Sequence, residues 1–338
     1  MSKFLDDIQR IYDFPLPWEQ LSGSNILVTG ATGLIGSSLV DVLMHHPQRD
    51  YQVYAAGRNE ERAKNRFQDY QDDSSFHFLK YDVMESLTSE IPFHYIIHAA
   101  SNGSPNFFAN HPVEVMKANL FGVTNLIEYG MSHDMRRFLY VSSGEVYGEC
   151  ADDVFSEKSS GYVDCANPRA CYPSSKRAAE TLCVSYAKEY GADVVVARPC
   201  HTYGPCFTES DNRAYAQFIR NVQQGQDIVL RSPGTQLRSW CYVVDCANAL
   251  LHILMKGASS EAYNIADETS NLTIRQLAEL IAKIGGRKVV MDIDENLMKT
   301  NNIISHALFD TSKLKALGWR PIADVEHNVR VTVEVQKS

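Results

Sequence analysis

Asn25-Ile26-Leu27-Val28-Thr29-Gly30-Ala31-Thr32-Gly33-Leu34-Ile35-Gly36 is the stretch whose reading decides the fold. Its first five residues form a short apolar run that predicts a buried strand. The apolar-periodic stretch Leu34 to Met44 predicts a helix straight after the glycines. Glycines between a strand and a helix let the backbone turn tightly and let a pyrophosphate approach the N–H groups at the helix N-terminus, where the dipole favours negative charge. Three glycines in a turn can also serve packing alone. The strand-to-helix setting is what makes Gly30, Thr32, Gly33, Leu34, Ile35 and Gly36 a dinucleotide-binding turn.

Working outward, strands are predicted at 25–29, 52–56, 76–80, 94–99, 137–142 and 193–198, with helical patterns between them at 34–46, 59–69, 112–131 and 173–190. Such alternation implies an α/β chain of Rossmann type, a doubly wound parallel sheet covered on both faces, over residues 25–200. After Arg198-Pro199 the pattern becomes mixed, with helices near 212–224, 243–256, 273–284 and 323–335 and strands near 227–230, 261–265 and 287–291. This predicts a smaller mixed α/β substrate-binding cap over 201–338, with Rossmann elements able to recur within 240–265. Residues 1–24 form an N-terminal extension in which Phe4, Leu5, Ile8, Ile11 and Tyr12 have helical spacing and Pro15 and Pro17 end it. An extra helix packed on the body, anchored by Trp18, is expected there, with an oligomer contact as the alternative.

A chain of 338 residues, 44% hydrophobic and 22% charged, has the composition of an ordinary globular protein. The apolar runs fall short of the roughly 18 residues a membrane span needs. The acidic start Met1-Ser2-Lys3-Phe4-Leu5-Asp6-Asp7 is unlike a secretory signal, so a cytoplasmic protein without a membrane partner is expected. A net charge of -9 argues against a general nucleic-acid-binding surface. The eight cysteines form no Cys-x-x-Cys pair, which disfavours zinc or a disulfide framework. His45-His46 reads as a helix C-terminal pair, and His94 and His98 share one face of a strand without a third metal ligand.

Two further segments carry chemistry: Val141-Ser142-Ser143-Gly144-Glu145-Val146-Tyr147-Gly148 and Tyr172-Pro173-Ser174-Ser175-Lys176. On a helix beginning near Tyr172, a spacing of four puts the phenol and the Lys176 ammonium on one face. A nearby cation favours phenolate, so Tyr172 is the expected base, with Ser143 holding the alcohol whose proton is removed.

With these motifs in place, the chain from Asn25 to about Trp319 resembles the extended short-chain dehydrogenase/reductases that modify nucleotide sugars. The resemblance rests on Gly30-x-x-Gly33-x-x-Gly36, Asp82-Val83, His98-Ala99-Ala100, Asn119-x-x-Gly122, Ser142-Ser143-x-x-Val146-Tyr147-Gly148, Tyr172-x-x-x-Lys176, Arg198-Pro199 with Tyr203-Gly204-Pro205, and Arg238 before Tyr242-Val243-x-Asp245. It implies that Asp82 and Val83 meet adenine, that Ala99, Ala100, Ser101 and Asn119 line the coenzyme site, and that Lys176 meets the nicotinamide ribose. Arg238 would bind the diphosphate of a nucleotide-sugar substrate, and Ser104 and His201 would add substrate contacts. The family's first step is oxidation at C4 by a tightly held nicotinamide dinucleotide. A homodimer is implied through helices 112–131 and 173–190, whose apolar residues, including Leu120, Leu126, Ile127, Leu182, Val184 and Tyr186, lie on more than one face.

Glu145 bears most on the reaction. It matches a glutamate of 4,6-dehydratases and of UDP-glucuronate decarboxylases, where simple 4-epimerases usually have a small or hydroxyl residue. A buried carboxylate with a raised pKa is expected there. Gly144 departs from both branches, since the dehydratases carry an aspartic acid and the decarboxylases a serine or threonine. Residues 101–105 and Lys176 to Thr181 look most like the decarboxylases, which ranks UDP-glucuronate decarboxylation first and 4,6-dehydration second. A 4-epimerase and a dissociable NADP-dependent reductase are further alternatives. His201 replaces a usual asparagine and brings an imidazole able to change charge near neutral pH. Family habit favours NAD, but the second strand ends Ala56-Gly57-Arg58-Asn59 without an acidic residue, and Arg58, with Arg62, could meet the 2'-phosphate of NADP.

Overall fold

The computed structural model describes residues 2–293 and 306–336. Seven parallel strands form the main sheet in the order Ala262–Ile265, Val194–Pro199, Arg137–Val141, Tyr95–His98, Asn25–Thr29, Gln52–Gly57 and Phe76–Lys80. The first strand lies between the second and the fourth, with Thr29 opposite both Ala56 and His98. The strand order reverses beside it, and the carboxyl ends at such a reversal open a crevice for ligands.

Side-chain alternation explains why both faces are covered. Ile26, Val28 and Ile97 point into one core with Leu39, Val40, Leu43 and Leu250, whereas Leu27 and Ile96 point into another with Val123, Leu126, Ala179 and Cys183. Helices Leu34–His45 and Val243–Lys256 supply the first core; Pro112–Ser132 and Cys171–Tyr190 supply the second. The helix Glu60–Arg66 completes the expected set near the sheet edge. The short strand expected near 261–265 is the seventh member of this sheet, beside Val194–Pro199.

A second sheet, which the polar sequence of its strands concealed, runs Asp267–Thr273, Leu237–Tyr242, His306–Phe309, Val154–Phe155, with His201–Tyr203 also paired to Leu237–Tyr242. Val289–Met291 and Ile228–Leu230 pair as a third, small sheet. The helices Ala214–Gln223, Ile274–Ile284 and Val325–Val335 match the expected periodicity.

At the N-terminus the helix Ser2–Gln9 buries Phe4 and Ile8, and Ile11 follows in the next turn. Tyr12 donates to the Val42 carbonyl at 2.7 Å, and Trp18 stacks on His46 with centroids 4.1 Å apart. His45 closes its helix through a bond between Nδ1 and the Asp41 carbonyl at 2.9 Å. His46, at the C-cap position of the same helix, is also a stacking partner of the extension. Among the described residues no cluster of potential ligands could hold a metal ion, and no helix is long and apolar enough to cross a membrane. All eight cysteines are free.

Candidate active site

The glycine turn is needed partly for packing. Gly30 has φ +66°, and a Cβ on it would lie 2.6 Å from the Ala99 carbonyl oxygen; one on Gly36 would lie 2.3 Å from that of Gly30. Gly33 precedes the helix Leu34–His45 without a side-chain cap, leaving that N-terminus to an external acceptor. Thr32 sits beside Gly57, Leu34 is buried and Ile35 partly so. Opposite, Ala99 N–H donates to the Thr29 carbonyl and Ser101 N–H to that of Ala99. Asp82 follows the third strand and Val83 is nearly buried. Asn119 donates to Ser175 Oγ at 2.9 Å and keeps a buried Oδ1 that pairs with no protein donor. An uncapped helix N-terminus, closely approached backbone and this orphaned acceptor fit a dinucleotide.

Arg58 differs from a simple phosphate receptor. Its Nη1 lies 3.2 Å from Glu114 Oε1 and 3.8 Å from Asp82 Oδ2, with the side chain 60% exposed. Arg62 is engaged through its backbone N–H, which donates to the Asn59 cap.

Ser143, Tyr172 and Lys176 meet at the carboxyl end of Arg137–Val141. Ser143 Oγ accepts from the Glu145 N–H at 3.2 Å, capping the turn Gly144–Tyr147, and Ser143 lies close to the Tyr172 hydroxyl. Lys176 is buried, donates to the Val141 carbonyl at 2.9 Å, and stands 5.7 Å from the Tyr172 ring centroid and 4.7 Å from that of Tyr140. Burial lowers its ammonium to about 7. Burial, with Glu145 nearby, pushes the Tyr172 phenol up to about 12, while the neighbouring Ser143 side chain and the guanidiniums of Arg213 and Arg169 pull the other way. The fixed cations favouring phenolate are therefore these arginines. Lys176 falls short of the expected permanent charge because its site is desolvated. Behind it His98, bonded to Thr29 at 2.8 Å, is held neutral at about 3 by burial and by Lys176.

Glu145 departs from expectation. Its side chain is 40% exposed rather than buried, and both its oxygens accept from Arg169 Nη2, at 3.0 and 2.9 Å. The Arg169 guanidinium lies over the Phe108 ring at 4.9 Å, and Phe108 stacks on Tyr172 with centroids 4.4 Å apart and planes 18° off parallel. Phe108 belongs to the helix Pro105–Asn110, which Ser104 precedes; Ser104 Oγ donates to Asn212 Oδ1 at 3.0 Å and so ties this loop to the cap.

Gly144 has a concrete packing reason. A Cβ there would come within 2.3 Å of Phe309 Cζ, and Phe309 is buried against Val146, Tyr147 and Phe155. Asn264 holds this arrangement: it accepts from the Tyr147 hydroxyl at 2.5 Å and donates to the carbonyls of Phe155 and Asp310.

On the cap side, His201 opens into the cleft 5.3 Å from the Trp240 ring. The cleft's limited hydration and the guanidiniums of Arg238 and Arg213 push its imidazole down to about 4, so it stays neutral near pH 7, contrary to expectation. Arg238 is half-buried on Leu237–Tyr242 and donates to the Leu237 carbonyl. Arg213 is held by Asp211 and Tyr215. Sequence reading missed Arg169, Arg213, Phe108 and Phe309. Arg169, in the turn that leads into the Tyr172 helix, had a local signal; Phe309 had none.

Residues 26–266 match the model of the NAD dependent epimerase/dehydratase family. UDP-glucuronic acid decarboxylase 6 of Arabidopsis thaliana is 33% identical over 302 residues, covering 89% of this chain and 85% of the relative. UDP-glucuronic acid decarboxylase 1 of Xenopus tropicalis is 31% identical, covering 91% and 71%. Among solved structures, a UDP-glucose 4-epimerase of Thermotoga maritima with UDP-glucose superposes with a TM-score of 0.80 at 25% identity, covering 92% and 98% of the two chains. A dTDP-glucose 4,6-dehydratase of Bacillus anthracis in complex with NAD gives 0.78 at 23% identity, covering 92% and 96%, a likeness of fold.

Proposed function

This chain belongs to the NAD-dependent epimerase/dehydratase family, and from that premise we propose that it decarboxylates UDP-glucuronate through transient oxidation at C4. Ser143 holds the C4 hydroxyl and Tyr172 takes its proton, with Lys176 and the arginines setting the charge around the phenol. When bound, NAD supplies a positive ring that favours phenolate and a reversible acceptor for the C4 hydrogen. With C4 a ketone, the carboxylate on C5 belongs to a β-keto acid, which loses carbon dioxide and leaves its bonding electrons as an enolate that takes up a proton from water at C5 to give back the C4 ketone. Tyr172 then returns its proton to the C4 oxygen as the alcohol is restored. Asp82, Val83, Ala99, Ala100, Ser101, Asn119 and the glycine turn hold the coenzyme in this reading, and Arg238, Ser104 and His201 hold the nucleotide sugar.

One observation carries the choice of reaction. Phe309 fills the space that an acid at 144 would need, so expulsion of a C6 hydroxyl, the step defining 4,6-dehydration, lacks its proton donor on that side. The likeness to decarboxylases across most of the chain supports the same choice. NAD is the favoured coenzyme because the family is NAD dependent. Incubating the holoenzyme with UDP-glucuronate and UDP-glucose and weighing the products tests the reading: loss of carbon dioxide from the first supports it, and loss of water from the second overturns it.

The division into a coenzyme-binding part over 25–200 and a substrate-binding part over 201–338 belongs to this reading, with Ala262–Ile265 lent back to the main sheet. So does a homodimer through Pro112–Ser132 and Cys171–Tyr190, whose outer faces expose Met116, Phe121, Met131, Val184 and Tyr190. Light scattering at micromolar concentration, expecting twice the chain mass, tests it.

A further inference from the structure

Two guanidiniums, those of Arg169 and Arg213, act on the Tyr172 phenol, a third, that of Arg238, acts with Arg213 on His201, and their engagements differ. Arg213 is bound to Asp211, whose side chain is only 9% exposed, and to Tyr215. Arg238 lies on the second sheet beside His201, where it serves the diphosphate in the reading above. Arg169 is held by a solvent-accessible acid: its side chain is 47% exposed and that of Glu145 40%. An ion pair so exposed contributes little to stability, so one carboxylate can replace another at small cost.

The placement of Arg169 is nevertheless firm. Its guanidinium rests on Phe108, which stacks on the Tyr172 ring, and it pairs with Glu145, two residues beyond Ser143; both Arg169 and Glu145 lie near enough to shift the Tyr172 phenol. In a hexuronate the carboxyl carbon is attached to C5, the neighbour of C4. A group that grips the carboxylate must therefore stand a few ångströms from the group that serves O4. A planar guanidinium with several N–H donors suits a carboxylate.

We propose that Arg169 is the residue that binds the sugar carboxylate, which displaces Glu145 from it. The assignment rests on the decarboxylase reading and deepens it. Glu145 is then the internal competitor for the site, and the exchange frees its carboxylate only when a substrate bearing a C5 carboxylate is present. Sugars without that group leave the Arg169–Glu145 pair intact.

The test is calorimetric titration of NAD-loaded enzyme, in a Tyr172→Phe background that prevents turnover, with UDP-glucuronate and with its decarboxylated counterpart UDP-xylose. Arg169→Gln should weaken UDP-glucuronate binding about tenfold or more, the worth of a charge-assisted hydrogen bond, and leave UDP-xylose nearly unchanged. Glu145→Gln should tighten UDP-glucuronate binding. Equal weakening of both ligands by Arg169→Gln, or weaker UDP-glucuronate binding in Glu145→Gln, would overturn the proposal. Thermal midpoints establish that each variant is folded. Carbon dioxide release by the unsubstituted holoenzyme, measured alongside, separates the two levels: no release overturns the reaction itself, and release with an unselective Arg169→Gln effect overturns only this assignment.

Discussion

Lys176, His98 and Tyr140 behind the phenol of Tyr172 are sealed in the interior, whereas Glu145, Arg169 and His201 across the cleft stand open to solvent. The first region changes proton affinities by desolvation, moving a lysine to about 7 and a histidine to about 3. The second is built from charges that water screens, and its partners can be exchanged. In the proposed reading the contrast separates two tasks: the buried region serves the oxidation at C4, and the open region selects the sugar that receives it.

The largest effect expected from disturbing the buried region is that of Tyr172→Phe, which removes the group exchanging a proton with O4. Carbon dioxide release from UDP-glucuronate should fall by about 10²–10⁴-fold, the usual range for a lost acid-base group. A rate within twofold of the parent would break the comparison at its root.

Next comes the seam between the two regions. Gly144→Thr drives a side chain into the buried Phe309 ring and should destabilise the protein by about 1–3 kcal/mol, as overpacking does. The cost of the same change should shrink in a Phe309→Ala background, read as unfolding midpoints in urea. Equal cost in both backgrounds would remove Phe309 as the reason for glycine.

Lys176→Met sharpens the comparison through pH. The unfolded lysine titrates near its ordinary 10.5 and the folded one at about 7. Between those values the unfolded chain holds more protons, so parent stability rises as pH climbs from 7 toward 10. The methionine variant lacks that rise. Relative to the parent, it should be most favoured at pH 6 and lose that advantage by pH 10, as shown by coenzyme-free melting curves at the two pH values. The smallest effect belongs to an exposed charge: Arg58→Ala should alter NAD affinity by less than about 1 kcal/mol. A greater loss would show that Arg58 bonds NAD directly.

The same contrast governs how much could be read from the sequence. The buried parallel strands and the Tyr172–Lys176 helix announce themselves because each depends on residues adjacent in the chain, as alternation, periodicity and a spacing of four. Leu237–Tyr242 and His306–Phe309 do not, since their strand character comes from partners dozens of residues away and their own sequences are mixed. Glu145 was legible as a site residue, but its exposure depends on Arg169, 24 positions on, and on Phe108 beneath that arginine. The low proton affinity of His201 likewise arises from desolvation first and then from Arg238 and Arg213, all of which only the folded cleft supplies.

The amide of Asn264 has a consequence for the order in which the protein can be made. It joins Tyr147, Phe155 and Asp310, while Phe309 lies under Gly144. Ser143, Tyr172 and Lys176 have all been synthesised once position 176 is added. The turn carrying Ser143 and Glu145 nonetheless has its floor only when residues 309 and 310 arrive. A nascent chain arrested between these points holds the chemical groups without the surface that aligns them, so activity should emerge late and abruptly as synthesis proceeds.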